Sequence, residues 1–157
     1  MGAGTAIAVD IDDRKLARAA KLGFATVNPK NGLAENQIKE LTKGEGADAV
    51  FEAIGNPKTV VSSVKSVAKG GKVVFIGICF DKIELAPWDD IAAKEIEITG
   101  CNDHPRHQMT EIIELVRQKK IDLSDSVTHK IKLDDVNRGL EMVDKKSDDL
   151  LRVVMVQ

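Results

Sequence analysis

Apolar residues along the chain gather into short runs separated by longer amphipathic stretches, and the hydrophobic period changes from one kind to the other. The runs near residues 5–9, 25–28, 48–52, 72–77 and 95–100 suit strands buried on both faces of a parallel sheet. Between them the spacing is helical. Leu16, Ala19, Ala20 and Leu22 follow the first run, Val60, Val61, Val64 and Val67 share a face before the fourth, and Met109, Ile112, Ile113 and Val116 share one after the fifth. Strand and helix alternate, which predicts an α/β fold with helices packed on a mainly parallel sheet. The tail departs from this rhythm: "VTHKIKL", "DDVNRGLEMV" with Val136, Leu140 and Val143 on one side, and "LLRVVMV" read as strand, helix and strand.

A chain of 157 residues fits one domain with a real core. Charged residues make up 31% of it but nearly cancel, to −2, so no nucleic acid or anionic membrane is expected as a partner. Trp88 and four Phe are too few for a base-stacking face. The apolar runs are far shorter than a membrane span, and the start lacks the basic-then-apolar layout of a signal peptide, so a cytoplasmic protein is expected. Cys79 and Cys101 are too few for a disulfide framework and read as small buried thiols beside strand ends.

Asp10 stands where the first strand ends and a helix begins. In a dinucleotide-binding βαβ unit an acid there binds the adenosine ribose, roughly 20 residues after a glycine-rich phosphate turn, and it disfavours a 2′-phosphate. The plainer reading is a helix cap, but Asp12 or Asp13 serves that purpose equally well. Only nine residues precede Asp10. Gly2 and Gly4 come before the strand, whereas a phosphate turn must follow a strand and open a helix, so "MGAG" is read as an entry loop. Gly55 and Gly77 each lie just beyond an apolar strand, where ligands bind in open α/β sheets and glycine lets a flat ring approach the backbone; any tight turn also favours glycine. "KGGK" leads into a strand and lacks the start of a phosphate-loop helix. "CNDHPRH" offers Cys101, Asp103, His104 and His107, but no further Cys or His cluster completes a zinc set, so a helix-capping loop is expected and no metal residue is assigned. His129 reads as an ordinary strand histidine. No nucleophile stands beside a base in a recognisable elbow, so no catalytic residue is assigned.

Four stretches, "AVDIDDRKLARAAKLGFATVNPK", "GADAVFEAIGNP", "AKGGKVVFIGI" and "HKIKLDDVNRGLEMVDKKSDDLLRVVMV", together resemble the C-terminal part of the zinc-type medium-chain alcohol dehydrogenases, in order and over nearly the whole chain. The resemblance implies a Rossmann-like, doubly wound, mainly parallel sheet from its second strand onward, without the usual first strand and glycine-rich turn. Residues 1–157 are then one truncated dinucleotide-binding domain, with 126–157 similar to the segment that returns to the catalytic domain. Asp10 resembles the ribose-binding acid and Lys15 the basic residue on the same ribose. Ile54 and Gly55 resemble the cover of the adenosine side, Ile76, Gly77 and Ile78 the backbone that meets the nicotinamide carboxamide, and Arg152 the arginine that reaches the pyrophosphate.

Neither the family's zinc ligands nor its proton relay has a counterpart here, and hydride transfer needs an alkoxide on a Lewis acid. The resemblance therefore implies the NAD-binding portion of an alcohol or polyol dehydrogenase, inactive by itself, with NAD binding weak or vestigial and zinc held elsewhere in the family. The alternatives are a non-enzymatic assembly module and one half of a split enzyme whose partner brings the zinc domain. In the doubly wound order the absent strand would lie between the strands at 5–9 and 48–52. That vacancy predicts direct pairing of those two, insertion of "RVVMV", or a homo-oligomer that closes the gap with exchanged elements.

Overall fold

A computed structural model of the chain describes residues 3–103, 105–145 and 150–156. It divides into two compact units, residues 1–103 and 104–157. The first contains β1 (Ile7–Val9), α1 (Asp13–Lys21), β2 (Ala25–Val27), α2 (Ala34–Leu41), β3 (Ala47–Glu52), α3 (Pro57–Ser66), β4 (Val67–Phe75) and β5 (Glu97–Gly100). The second contains α4 (Arg106–Arg117), β6 (His129–Lys132), α5 (Val136–Asp144) and β7 (Val153–Val156). The α/β alternation read from the apolar runs is therefore present, and all strand pairs are parallel. Gly2 and His104, which entered the readings of "MGAG" and "CNDHPRH", lie outside the described residues.

The sheet of the first unit is divided. Among the described residues β1 pairs only with β2, and a separate three-stranded sheet runs β3, β4, β5. Direct pairing of β1 with β3, one of the three closures considered, is absent among the described residues. Nor does "RVVMV" fill the gap: Val153–Val156 pairs with His129–Lys132 in the second unit. Helices hold the two sheets together. Val27, Ala34 and Ile38 form a buried cluster against which Ile7 and Ala47 pack, so β1 and β3 flank one core without touching through hydrogen bonds. Ser62 on α3 also donates to Glu35 on α2 at 2.8 Å.

Helix ends follow local chemistry. Of the two capping candidates, Asp12 and Asp13, it is Asp12 that caps α1, accepting from the Arg14 backbone, and Asn56 caps α3 by accepting from Lys58, with Pro57 at the first helical position. On α3, Val60 and Val64 are buried, but the shared helical face stops at Ser66; Val67 already begins β4 and is buried there. Lys94 donates to the carbonyls of Val64 and Lys65, closing the end of α3 from a distant segment. Desolvation, aided by Lys39, pulls its ammonium pKa below the usual 10.5. "KGGK" lies inside β4 as an irregularity: Ala47 faces Val67 while Ala49 faces Lys72.

Several expected apolar faces are not buried. β3 was read as a buried strand, yet Phe51 is 67% exposed: its side chain stands on the face of the sheet, and no described element packs over it. Met109, Ile112 and Ile113 on α4 are exposed, as are Leu140 and Val143 on α5. On α5 the packed position is Gly139, where an added Cβ would collide with Ile131 on β6; the helix approaches the sheet through its smallest residue and turns Leu140 outward. Cys101 is exposed and Cys79 half-buried, so neither is the buried thiol anticipated. Their Sγ atoms meet the Asp103 and Asp81 carbonyls.

The α1 cap makes a pH prediction. The Arg14 side chain, and then its backbone N–H, hold the Asp12 carboxyl down from 3.8 to about 2. A carboxyl with a depressed folded pKa stabilises the fold above its unfolded value and loses that contribution as pH falls through the folded one. Amide protection along Asp13–Lys21 is expected to drop between about pH 4 and pH 2, and Asp12→Ala to remove that step. A protection profile for α1 that is flat across this window in the parent chain would show that the cap contributes nothing.

Candidate functional site

The site builds from the carboxyl ends of β1, β3 and β4. Asp10 directly follows β1. One oxygen accepts from the Asp12 backbone at 2.8 Å, and the other pairs with Lys15 at 3.4 Å. That geometry follows from the sequence: the Asp12 cap lets the chain turn sharply into α1, and Lys15 in the first turn reaches back over the strand end. The two residues expected on one ribose are therefore adjacent. Because Asp12 takes the capping role, the Asp10 carboxylate keeps unused acceptor positions beside a cation.

At the other strand ends a buried carboxylate organises the backbone. Glu52, 4% exposed at the end of β3, accepts from the Ile54 and Gly55 backbones, both at 3.0 Å, and from the Thr59 hydroxyl at 2.7 Å. A carboxylate removed from water needs such donors. Its own carbonyl also accepts from Ile76 and Gly77 at the end of β4, at 2.8 and 3.0 Å. One residue thus ties the 53–55 turn, the first turn of α3 and the 76–77 turn together. Sequence reading missed it. The available signal was an acid closing an otherwise apolar strand in "AVFEAIG", with Thr59 seven residues on.

Gly55 and Gly77 are brought together, and the structure shows what their missing Cβ atoms permit. A Cβ on Gly77 would collide with the Gly55 backbone nitrogen and lie 2.7 Å from a Glu52 oxygen. A Cβ on Gly55 would collide with the Ile78 carbonyl, and its φ of 79° is itself a glycine conformation. The space beside these glycines is filled by the neighbouring turn. Ile54, Ile76 and Ile78 are exposed around this crossing.

A cavity of about 610 Å³ opens between the two sheets, with Val9, the residue before Asp10, on one wall and Val50 to Ile54 on the other. Ile54 lines this space, whereas Asp10 is not among its lining residues. Arg152 belongs to the second unit, where its backbone N–H donates to Thr128 Oγ1 at 3.3 Å and its carbonyl accepts from Thr128 and His129. His129 lies half-buried in β6 with Nδ1 3.1 Å from Thr128 Oγ1. Among the described residues, no three of His, Cys, Asp and Glu are grouped to hold a metal ion, and no helix is long and apolar enough to cross a membrane.

Parallel strands with crossover helices, and an acid and a glycine pair at the strand ends, define a Rossmann-like nucleotide-fold unit. The family model described as zinc-binding dehydrogenase matches residues 1–118, and the chain belongs to that family. It is 28% identical to an alcohol dehydrogenase of Cupriavidus necator over 98% of its own length and 43% of that protein. It is 30% identical to a sorbitol dehydrogenase of Bacillus subtilis over 98% of this chain and 44% of that one. Among solved structures, an alcohol dehydrogenase from Thermus sp. ATN1 superposes with a TM-score of 0.89 at 25% identity, over 99% of this chain and 45% of that chain. The chain thus spans less than half the length of these relatives.

The glycine crossing predicts a sharp contrast between two alanine variants. Gly77→Ala drives a methyl group into backbone atoms and is expected to cost about 3 kcal/mol. Gly100→Ala, with no atom within 4 Å of the new Cβ, is expected to stay within about 0.5 kcal/mol of the parent. Urea unfolding of both measures the difference. Equal stabilities would mean that the two turns are not packed as described.

Proposed function

We propose that residues 1–157 form the NAD-binding portion of a zinc-type alcohol or polyol dehydrogenase and do not carry out the reaction by themselves. The observation that carries this reading is the Asp10 and Lys15 pair at the carboxyl end of β1, beside the apolar cavity, in a chain belonging to the zinc-binding dehydrogenase family. In the proposed mode, Asp10 accepts from the two ribose hydroxyls while Lys15 balances its charge. Ile54 and Gly55 border the adenosine side, and the backbone of Ile76, Gly77 and Ile78 meets the carboxamide. Arg152 takes a pyrophosphate oxygen. A carboxylate at position 10 repels a 2′-phosphate, which favours NAD over NADP. NAD, when bound, supplies the hydride acceptor; a zinc site on other residues supplies the Lewis acid.

Two features set the expected strength of binding. Pyrophosphate affinity in such folds comes largely from backbone amides of a glycine turn at a helix start. Among the described residues, no glycine-rich turn links β1 to α1, where Asp12 caps the helix. Binding by the 157 residues is therefore weak, on the order of 1 mM or weaker. We also propose that the chain assembles as a homo-oligomer and that a zinc-domain partner completes an active enzyme. Both proposals draw on exposed surface: all four residues of β5 are exposed at a sheet edge, as are Phe80 at 96% and Trp88 at 71%.

Three measurements bear on this. The purified 157-residue chain is expected to form no NADH from alcohols or polyols, with or without added zinc; turnover that follows the chain through purification overturns the reading. Calorimetric titration with NAD is expected to give no more than weak heats, and Asp10→Ala to reduce any residual affinity about tenfold. Tight stoichiometric binding would show a phosphate site built from other residues. Light scattering at micromolar concentration is expected to report at least a dimer, and a stable monomer refutes the assembly.

A further inference from the structure

The loop that leads into α2 carries the chain's one Asn–Gly sequence, Asn31–Gly32, in surroundings that leave it open to reaction. Asn31 ends a single 3₁₀ turn, Pro29–Asn31, and is exposed together with Gly32. Among the described residues, no hydrogen bond holds its side-chain amide. Gly32 has a φ of 140°, and a Cβ there would meet only Gln37 Nε2, at 3.9 Å. The turn thus selects glycine, and glycine leaves its own nitrogen unhindered. The other asparagines are placed differently. Asn28 and Asn56 precede prolines, whose nitrogen carries no hydrogen, and their side chains already accept from Lys30 and Lys58. Asn36 and Asn137 lie inside α2 and α5, where the same backbone rotation breaks helical hydrogen bonds. Asn102 precedes Asp103, whose side chain crowds the nitrogen.

We propose that Asn31–Gly32 is a self-modification site, where asparagine converts to isoaspartate without a catalyst and the start of α2 is loosened as a result. The Gly32 nitrogen attacks Cγ of Asn31 and gives its proton to water; an N–Cγ bond forms, the Cγ–Nδ2 bond breaks and ammonia leaves. Water then opens the cyclic imide. Entry at Cγ gives aspartate, whereas entry at the main-chain carbonyl carbon breaks the original peptide bond and routes the chain through Cβ and Cγ. The second product, isoaspartate, lengthens the main chain by one carbon–carbon bond, about 1.5 Å. Little slack absorbs it. Gln37 Nε2 donates to the Gly32 carbonyl at 2.8 Å and to the Asn28 carbonyl at 3.0 Å, and Ala34 is buried in the cluster with Val27 and Ile38. Leu33 gives α2 no side-chain cap, so these contacts fix its first turn. Aspartate adds a charge that the helix N-terminus favours and leaves the chain length unchanged. The two products therefore act differently on α2, and neither depends on whether the chain binds NAD.

The test ages the purified 157-residue chain in mildly alkaline buffer beside the variants Asn31→Asp and Asn31→Ser. Peptide mapping by mass spectrometry is expected to find amide loss at residue 31 roughly tenfold or more faster than at Asn36, Asn102 or Asn137. Enzymatic methylation specific for isoaspartyl carboxylates is expected to label that peptide in the aged parent and not in Asn31→Ser. In the aged acidic fraction, separated by ion exchange, a share of the molecules is expected to exchange the amides of Ala34–Leu41 roughly tenfold faster than the unaged parent. Freshly purified Asn31→Asp is expected to keep the parent's protection. Amide loss at residue 31 no faster than at the other three overturns the proposal, as does isoaspartate in molecules whose α2 exchanges as slowly as the parent's. Lost protection in fresh Asn31→Asp would assign the effect to charge rather than to the rearranged chain, and overturns it too.

Discussion

The constraint on which the first unit depends is that backbone groups in a sheet need partners on both sides, and among the described residues that requirement is met on only one side of β1 and of β3. Most of the unusual surface follows from it. Phe51 stands out of the protein although it lies in a strand whose neighbour β4 includes the fully buried Val73. The cavity's apolar lining comes as much from helix α2, through Leu33, Ala34 and Ile38, as from Val9, Val50 and Phe51 on the strands. Helices α2 and α3 carry a load that strand pairing would otherwise share, through the Val27, Ala34 and Ile38 cluster and the Glu35 to Ser62 hydrogen bond.

Against this open seam, the carboxyl ends of the strands are tightly specified. Glu52 collects backbone donors from the turn after its own strand and a hydroxyl from the next helix, while its carbonyl collects donors from the turn after β4. Hydrogen bonds to a buried carboxylate are stronger than neutral ones and fix geometry as well as energy. The two glycines then become necessary, since turns drawn together this closely leave no room for a Cβ on either. Rigidity at the rim and vacancy in the sheet thus occur within a few residues of each other on β3.

The alternation of strands and helices was legible in the sequence because each period extends over enough residues to be distinctive, and the Asp12 cap because capping is local chemistry. Asp10 stood out by its place at a strand end, whereas Lys15 entered only through the family resemblance; the structure shows the two paired. What sequence could not show was which apolar faces find a partner. The faces of α4 and α5 were identified as apolar, but burial depends on elements far away in the chain, and on α5 the packing choice went to Gly139, which carries no hydrophobic signal. The role of Glu52 was hidden because an acid in an apolar strand looks like an exception until its donors are seen. Equally, a glycine at a strand end says only that something comes close; the structure identifies that neighbour as another turn.

That last distinction changes how the site is understood. If Gly55 and Gly77 served only to admit a ligand ring, the backbone around them would be free to present itself, and substitution would affect binding before stability. Because each fills the other's space, the pair first builds the rim, and what surrounds the crossing is the exposed side chains of Ile54, Ile76 and Ile78 and the main chain they belong to. The charged group at the end of β1 is of another kind: Asp10 and Lys15 hold a carboxylate and an ammonium together, partly open to water. The apolar side is shaped by sterics and the polar side by charge. The two lie on different sheets, β1 with β2 and β3 with β4 and β5, so their spacing is set by helix packing and not by a strand ladder.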